Sequence, residues 1–522
     1  DYCWSSSLND ENHAWISVLS PEQLDDYLQK LAGHSPDDLP LFGIPFAIKD
    51  NIDLADLPTT AACPDYAYQP LESAFVVQRL IAAGAIPLGK TNLDQFATGL
   101  VGVRSPYGAC QNSFDPAYIS GGSSAGSAVS VATGQVCFSL GTDTAGSGRV
   151  PASFNNLYGL KGTKGRVSCT GVVPACQSLD CVTIFTATAA DAKAVWQVAG
   201  AFDPVDPFAR AAVPAKAISA AFKFGVPAPE QLAFFGDEAA ELLFWQSVET
   251  LTELGGEAVT INLEPFVQAA KLLYDGPYVA ERLAAIKDFF REDLTRCLPV
   301  IQTIVGGAEK RSAVEAYEAL YALQRFKRVT DAELAKVDFI VTPTAGTIYP
   351  IANVEAEPIQ FNSNLGYYTN FMNLLDYCAI AIPSGFRISG PKSGLPFGVT
   401  LFAPAFQDDA LLAIADQWQR KLGLPLGATG QEFPADTPII TQPTNGMIDV
   451  LVCGAHLSGL PLNWQLTDRN ARLKQTTTTA NAYRMYALAG GPPFRPGLIR
   501  DDKQGAEIAV EVWSVPLEQF GS

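Results

Sequence analysis

Along the first third of the chain, short apolar runs and helically spaced apolar residues take turns. Residues 20–32 (SPEQLDDYLQKLA) predict a helix with Ser20 as N-cap and Pro21 at the first helical position. The run from Leu41 to Ile48 predicts a buried strand that ends in the polar groups Lys49-Asp50-Asn51. Residues 73–84 (SAFVVQRLIAAG) place apolar residues at helical spacing and stop at Gly84. A short strand is expected at 85–89, a helix near 124–133, a strand near 136–140 and a glycine-rich turn at 141–148. Strand–helix alternation of this kind implies an α/β fold, a sheet flanked by helices on both faces.

Further on, residues 237–335 read as mostly helical. Two strands are expected at 338–344 (DFIVTPT) and 397–403 (FGVTLFA), and a helix at 408–422 that ends at Gly423. From Gly427 to Gly446 the chain is rich in Pro, Thr and Gly with little periodicity, which reads as a linker. A fresh strand, MIDVLVCGA, then opens a small α+β domain over 447–522. The expected division is therefore 1–430, a linker at 431–446, and 447–522.

Composition narrows the chemistry. Charged residues make up 17% of the 522, and the net charge is −19. The low charge allows a large core, and the acidic balance argues against a nucleic-acid or anionic-membrane surface. No apolar run is long enough to span a membrane, and the N-terminal segment lacks the pattern of a signal peptide. The ten cysteines are scattered. Cys169, Cys176 and Cys181 lie close together but form no C-x-x-C pair, so they read as buried thiols. No metal and no cofactor is expected, and a cytoplasmic enzyme fits best. With only His13, His34 and His456 available, a zinc site or a histidine-based serine triad has little to draw on.

The chemistry-bearing stretch is Ser120–Ser153, which holds two serine-bearing glycine loops, 121–126 and 141–148. Glycines allow backbone N–H groups to face a ligand closely, as in an oxyanion hole, and also serve phosphate cradles or plain turns. A serine nucleophile needs a base. Lys49, at the end of an apolar strand, is partly desolvated and can act as one, although a lone lysine is often only a solvated charge. Residues 84–91, GAIPLGKT, match the P-loop pattern, but a helix precedes them and a strand runs through them, which is the wrong context.

These segments resemble the amidase signature family, whose motif is GGSS-G-S followed by GTD-x-GGS-x-R-P, over about Leu41 to Ser178. The resemblance implies a mixed central sheet and a Ser–cis-Ser–Lys triad. By position, Ser147 is the nucleophile, Ser123 the cis-serine and Lys49 the base, with the backbone amides of Thr144, Ala145 and Gly146 as oxyanion hole. The chain departs from the usual pattern at Ala145, Gly148 and Gly162, which is expected to alter the pocket wall more than the triad.

The segments LDQFATGLVGVRSPYG and GVVPACQSLDCVTIF, and the tail with GAHLSGLPLN and EVWSVP, are similar to the allophanate hydrolase subfamily. This implies hydrolysis of allophanate to ammonia and carbon dioxide in urea or s-triazine breakdown. It also implies a homodimer and a functional link to a biotin-dependent urea carboxylase. Tyr274 and Arg282 would hold the substrate's carboxylate, and Gly99 would offer a backbone donor. The alternative for the Tyr274–Arg282 pair is an ordinary exposed helix face, since Arg282 follows Glu281. The tail resembles a cyclotransferase-like barrel module and stops early for one, so it is expected to be incomplete. There His456 either assists decarboxylation of the first product or only ends a strand. Rival readings are another amidase, such as a component of a tRNA-dependent amidotransferase or a small-amide hydrolase, and a non-catalytic assembly protein. The tail speaks against the first rival, and the intact lysine and serines against the second.

Overall fold

The computed structural model describes residues 10–274, 276–434, 436–442, 447–488, 490 and 496–516. Two compact units emerge, one of residues 1–213 and 218–442, the other of residues 214–217 and 443–522. Parts of the expected linker (435, 443–446), of the tail (489, 491–495, 517–522) and of the N-terminus (1–9) lie outside the described residues.

The first unit is built on one mixed sheet. Its strands are β1 (Trp15–Val18), β2 (Pro45–Lys49), β3 (Ile86–Thr91), β4 (Phe138–Asp143), β5 (Tyr158–Lys161), β6 (Cys181–Thr186), β7 (Phe222–Pro227), β8 (Gly256–Ile261), β9 (Phe339–Pro343), β10 (Tyr377–Phe386) and β11 (Pro396–Pro404). They lie in the order β1-β3-β2-β4-β6-β5-β10-β11-β9-β7-β8. β2 runs parallel to both β3 and β4, whereas β10 pairs antiparallel with β5 and β11. Every residue of β2, β3, β4, β5, β6 and β9 is buried, so both faces of the sheet are covered.

Local chemistry explains the element ends. Ser20 and Gln23 form a capping box at the start of helix Pro21–Lys30. Helix Asp408–Leu422 ends where Gly423 turns left-handed, at φ +57°. The strand expected from Leu41 is shorter than the apolar run: it begins at Pro45, because Leu41–Ile44 form a turn around Gly43. The region 237–335 holds helices Glu238–Glu253, Glu264–Tyr274, Tyr278–Glu292, Pro299–Gly306 and Ala313–Leu334, but β8 interrupts it. β8 is the edge strand, paired only with β7 among the described residues, and its middle residues are half or fully exposed, so its sequence does not read as buried.

The second unit has β12 (Met447–Val452), β13 (Arg472–Thr478), β14 (Tyr483–Ala487), β15 (Pro496–Arg500) and β16 (Ala509–Pro516). They form a three-stranded antiparallel sheet, β12-β16-β13, and a separate hairpin of β14 and β15. Leu466, Trp513 and Val515 are its buried core.

Candidate active site

Because β2 and β4 are parallel neighbours, their C-terminal ends lie side by side, where α/β sheets place ligands. Lys49 ends β2, and Thr142-Asp143 ends β4 and opens the 144–148 turn. Ser123 comes from the turn before helix Ala125–Ala132. That turn is fastened to β4 by Ser124, whose Oγ donates to the Thr142 carbonyl at 3.0 Å and accepts the Thr142 N–H at 3.2 Å. The Gly122–Ser123 peptide is cis.

Lys49 is fully buried, and its Nζ lies 2.7 Å from Ser123 Oγ and 2.7 Å from Thr142 Oγ1. Burial pushes its pKa down to about 7, aided by the Arg282 charge and opposed by Asp94, Asp180 and Asp143. The lysine is therefore poised to exist as a neutral amine, as a general base requires.

Ser147 is 3% exposed, and its Oγ donates over a long 3.4 Å to the Gly99 carbonyl. Among the described residues Ser147 makes no hydrogen bond to Ser123, so a rotation of its side chain must precede any relay. Asp143 holds the 144–148 turn from behind. It accepts the Gly146 N–H at 2.8 Å and the Gly148 N–H at 3.0 Å, and Arg149 grips it with Nε and Nη2, both at 2.9 Å. Burial opposes its ionisation, but the Arg149 guanidinium holds its carboxyl below the usual range. Gly146 needs its φ of +135°, and a Cβ there would lie 2.4 Å from Thr369 Oγ1.

This arrangement bears on the expected oxyanion hole. The Gly146 N–H, expected in the oxyanion hole, is already given to Asp143. The N–H groups of Thr144, Ala145 and Ser147 make no hydrogen bond among the described residues. The departures at Gly148 and Gly162 answer to packing: a Cβ would meet the Thr183 side chain at 2.6 Å and the Trp196 ring at 2.4 Å.

Tyr274 and Arg282 come together. Arg282 Nη2 donates to the Tyr274 hydroxyl at 3.3 Å, and Nη1 donates to Thr98 Oγ1 at 3.1 Å and to the Ala97 carbonyl at 3.4 Å. The arginine is 3% exposed and its Nε has no partner among the described residues, so it is not on a solvated helix face. Glu281 turns elsewhere, accepting from the Ser178 N–H and Oγ at 2.7 and 2.8 Å. Ala97-Thr98 leads directly to Gly99 and so to Ser147. Lys90 of the P-loop match lies within β3, buried and paired with Asp50 at 2.9 Å, and faces no ligand loop. His456 belongs to the second unit, where its Nε2 lies 3.0 Å from Gln465 Oε1.

Thr142, Asp143, Asp94 and Asp180 were not singled out from sequence. Thr142 and Asp143 sit in the GTD motif, and the parallel register of β2 and β4 would have pointed to them. Asp94 accepts the N–H groups of Val101, Gly102 and Arg104 at 2.9–3.1 Å, a loop role with no local signature.

Comparison with known proteins agrees with this geometry. The family model described as Amidase matches residues 5–412, and that of the allophanate hydrolase C-terminal domain matches residues 448–522. Urea amidolyase of Saccharomyces cerevisiae is 43% identical over 98% of this chain, which spans only 28% of that protein's length. Urea amidolyase of Lachancea kluyveri is 41% identical over 98% of this chain, again spanning 28% of the longer protein. The structure of selenomethionine-substituted Kluyveromyces lactis allophanate hydrolase is 41% identical and superposes with a TM-score of 0.84, covering 99% of this chain and 86% of that one. The chain thus belongs to the amidase family, and its residues 448–522 match the allophanate hydrolase C-terminal domain.

Proposed function

We propose that the chain hydrolyses allophanate, a carboxylated urea, to ammonia and carbon dioxide. One observation carries the substrate: the buried guanidinium of Arg282, next to Tyr274 and one short segment away from Ser147. Among the described residues its Nε is unpaired and it has no acidic partner at hydrogen-bond distance. A buried cation that touches no carboxylate, with Asp180 and Glu281 acting on it only from further off, is costly and suits an anionic ligand.

In the proposed mechanism, neutral Lys49 accepts the Ser123 proton while donating to Thr142. Ser123 in turn takes the proton of Ser147, which rotates from Gly99 and attacks the amide carbonyl. The free N–H groups of Thr144, Ala145 and Ser147 receive the oxyanion. The proton returns to the departing ammonia, and water then releases N-carboxycarbamate from the acyl-enzyme. Support for the subfamily comes from the tail-domain match, which a tRNA-dependent amidotransferase reading leaves without a purpose. The link to a biotin-dependent urea carboxylase rests on the likeness to urea amidolyase, a much longer protein. A homodimer and a cytoplasmic setting are part of the same reading. The test is ammonia release from allophanate, glutamine and malonamide in parallel. Allophanate should be preferred by kcat/KM; preference for glutamine would overturn the substrate assignment while leaving the amidase chemistry standing.

A further inference from the structure

We propose that Asp180 is a positioning residue for the hydrolytic step, holding the nucleophile turn through the hydroxyl of Thr144 so that the turn's free N–H groups face the oxyanion. Asp180 is 5% exposed and forms no ion pair among the described residues. Its carboxylate is held instead by neutral donors from two segments. Thr144 Oγ1 donates from the nucleophile turn, and the Ala175 and Cys176 N–H groups donate from the 173–180 turn at 2.8 and 3.2 Å. A buried carboxylate held in contact only by neutral donors, with the Arg282 charge acting on it from further off, is an expensive way to close a turn. Burial raises its pKa to about 6, against those hydrogen bonds.

What the carboxylate secures is the N-terminal end of the 144–147 segment. Asp143 already takes the Gly146 and Gly148 N–H groups, fixing the C-terminal end. With Asp180 on Thr144, both ends are held by side chains, and the N–H groups of Thr144, Ala145 and Ser147 stay unspent. Preorganised donors of this kind need no reorganisation when charge develops. Asp180 also bears on the base. Lys49 feels the charges of Asp94, Asp180, Asp143 and Arg282, and Asp180 is among those that favour its ammonium.

The inference rests on Ser147 being the nucleophile, and the experiment separates the two. In the full chain, kcat and KM are measured for wild type, Ser147→Ala, Thr144→Val, Thr144→Ser and Asp180→Asn. Thr144→Val should lower kcat by roughly tenfold or more with KM little changed, and Thr144→Ser should recover most of that loss. Asp180→Asn should lower kcat similarly. It should also move the acid limb of the kcat/KM profile to lower pH, because removing a negative charge disfavours the Lys49 ammonium. A purely structural role would lower stability and leave kcat per folded enzyme unchanged. If Asp180→Asn does not fold, the Thr144 pair carries the test alone. Wild-type kcat in Thr144→Val, or equal loss in the valine and serine variants, overturns the proposal. Retained activity in Ser147→Ala would instead remove the nucleophile on which it rests.

Discussion

Lys49 has two hydroxyls as its hydrogen-bond partners among the described residues and no water-accessible surface, which is why its pKa falls to about 7. The sign of the activity follows. Below that pKa the ammonium keeps its proton and cannot take one from Ser123, so kcat/KM should fall about tenfold per pH unit on the acid side. A profile flat between about pH 5.5 and about pH 8 would contradict the lysine base. Lys49→Arg keeps the charge but cannot deprotonate, and should lose at least about 100-fold in kcat. At the substrate end, Arg282→Ala should raise KM for allophanate by about 10–100-fold with a smaller effect on kcat, since charge-assisted hydrogen bonds are worth about 1.5–3 kcal/mol. An unchanged KM would remove the carboxylate clamp. At this scale the proposed reacting groups could be singled out in the sequence because each sits in a dense motif. Asp180 and Asp94 could not, because each acts by holding the backbone of a loop that only the folded chain brings to it.

Among the elements, β2 and β3 are joined beneath the site by Lys90 and Asp50, both fully buried. Asp50 also accepts the Thr60 N–H at 3.0 Å. Asp50→Ala should therefore destabilise the first unit by about 3–5 kcal/mol, read from its urea midpoint, because it strands a buried ammonium. A loss no larger than that of a surface substitution would mean that the pair is not buried as described. Helix Ala125–Ala132 sets Ser123 by close approach: a Cβ on Gly126 would lie 2.0 Å from the Ala14 carbonyl oxygen. The glycine read from sequence as a means of exposing N–H groups thus also serves docking. The elements that sequence missed have physical reasons. β10 contains Pro383, which argues against a central strand, yet a register shift between Pro383 and Gly385 accommodates it, and the Pro383 carbonyl accepts Trp418 Nε1 at 2.7 Å. β8 was hidden by its exposed edge position.

Across the whole molecule, every residue assigned to the hydrolytic step lies in the first unit, while His456 lies in the second. A chain ending at Gln442 should therefore keep ammonia release from allophanate near that of the full chain. If the second unit assists decarboxylation, carbon dioxide release in that shortened chain will lag behind ammonia; an unchanged ratio would leave His456 with a structural role. The expected division rested on the Pro- and Gly-rich stretch before Met447, because a linker announces itself by composition; the structure separates its units between 442 and 443. Unit boundaries near 214–217 were not expected, since that short segment carries no compositional break. The central claim is that one serine, Ser147, attacks the amide. The most direct measurement is single-turnover ammonia release by wild type and Ser147→Ala at equal folded concentration. The expected result is a rapid exponential release in wild type and a rate lower by at least about 1,000-fold in the variant; a rate for Ser147→Ala close to that of wild type would contradict it.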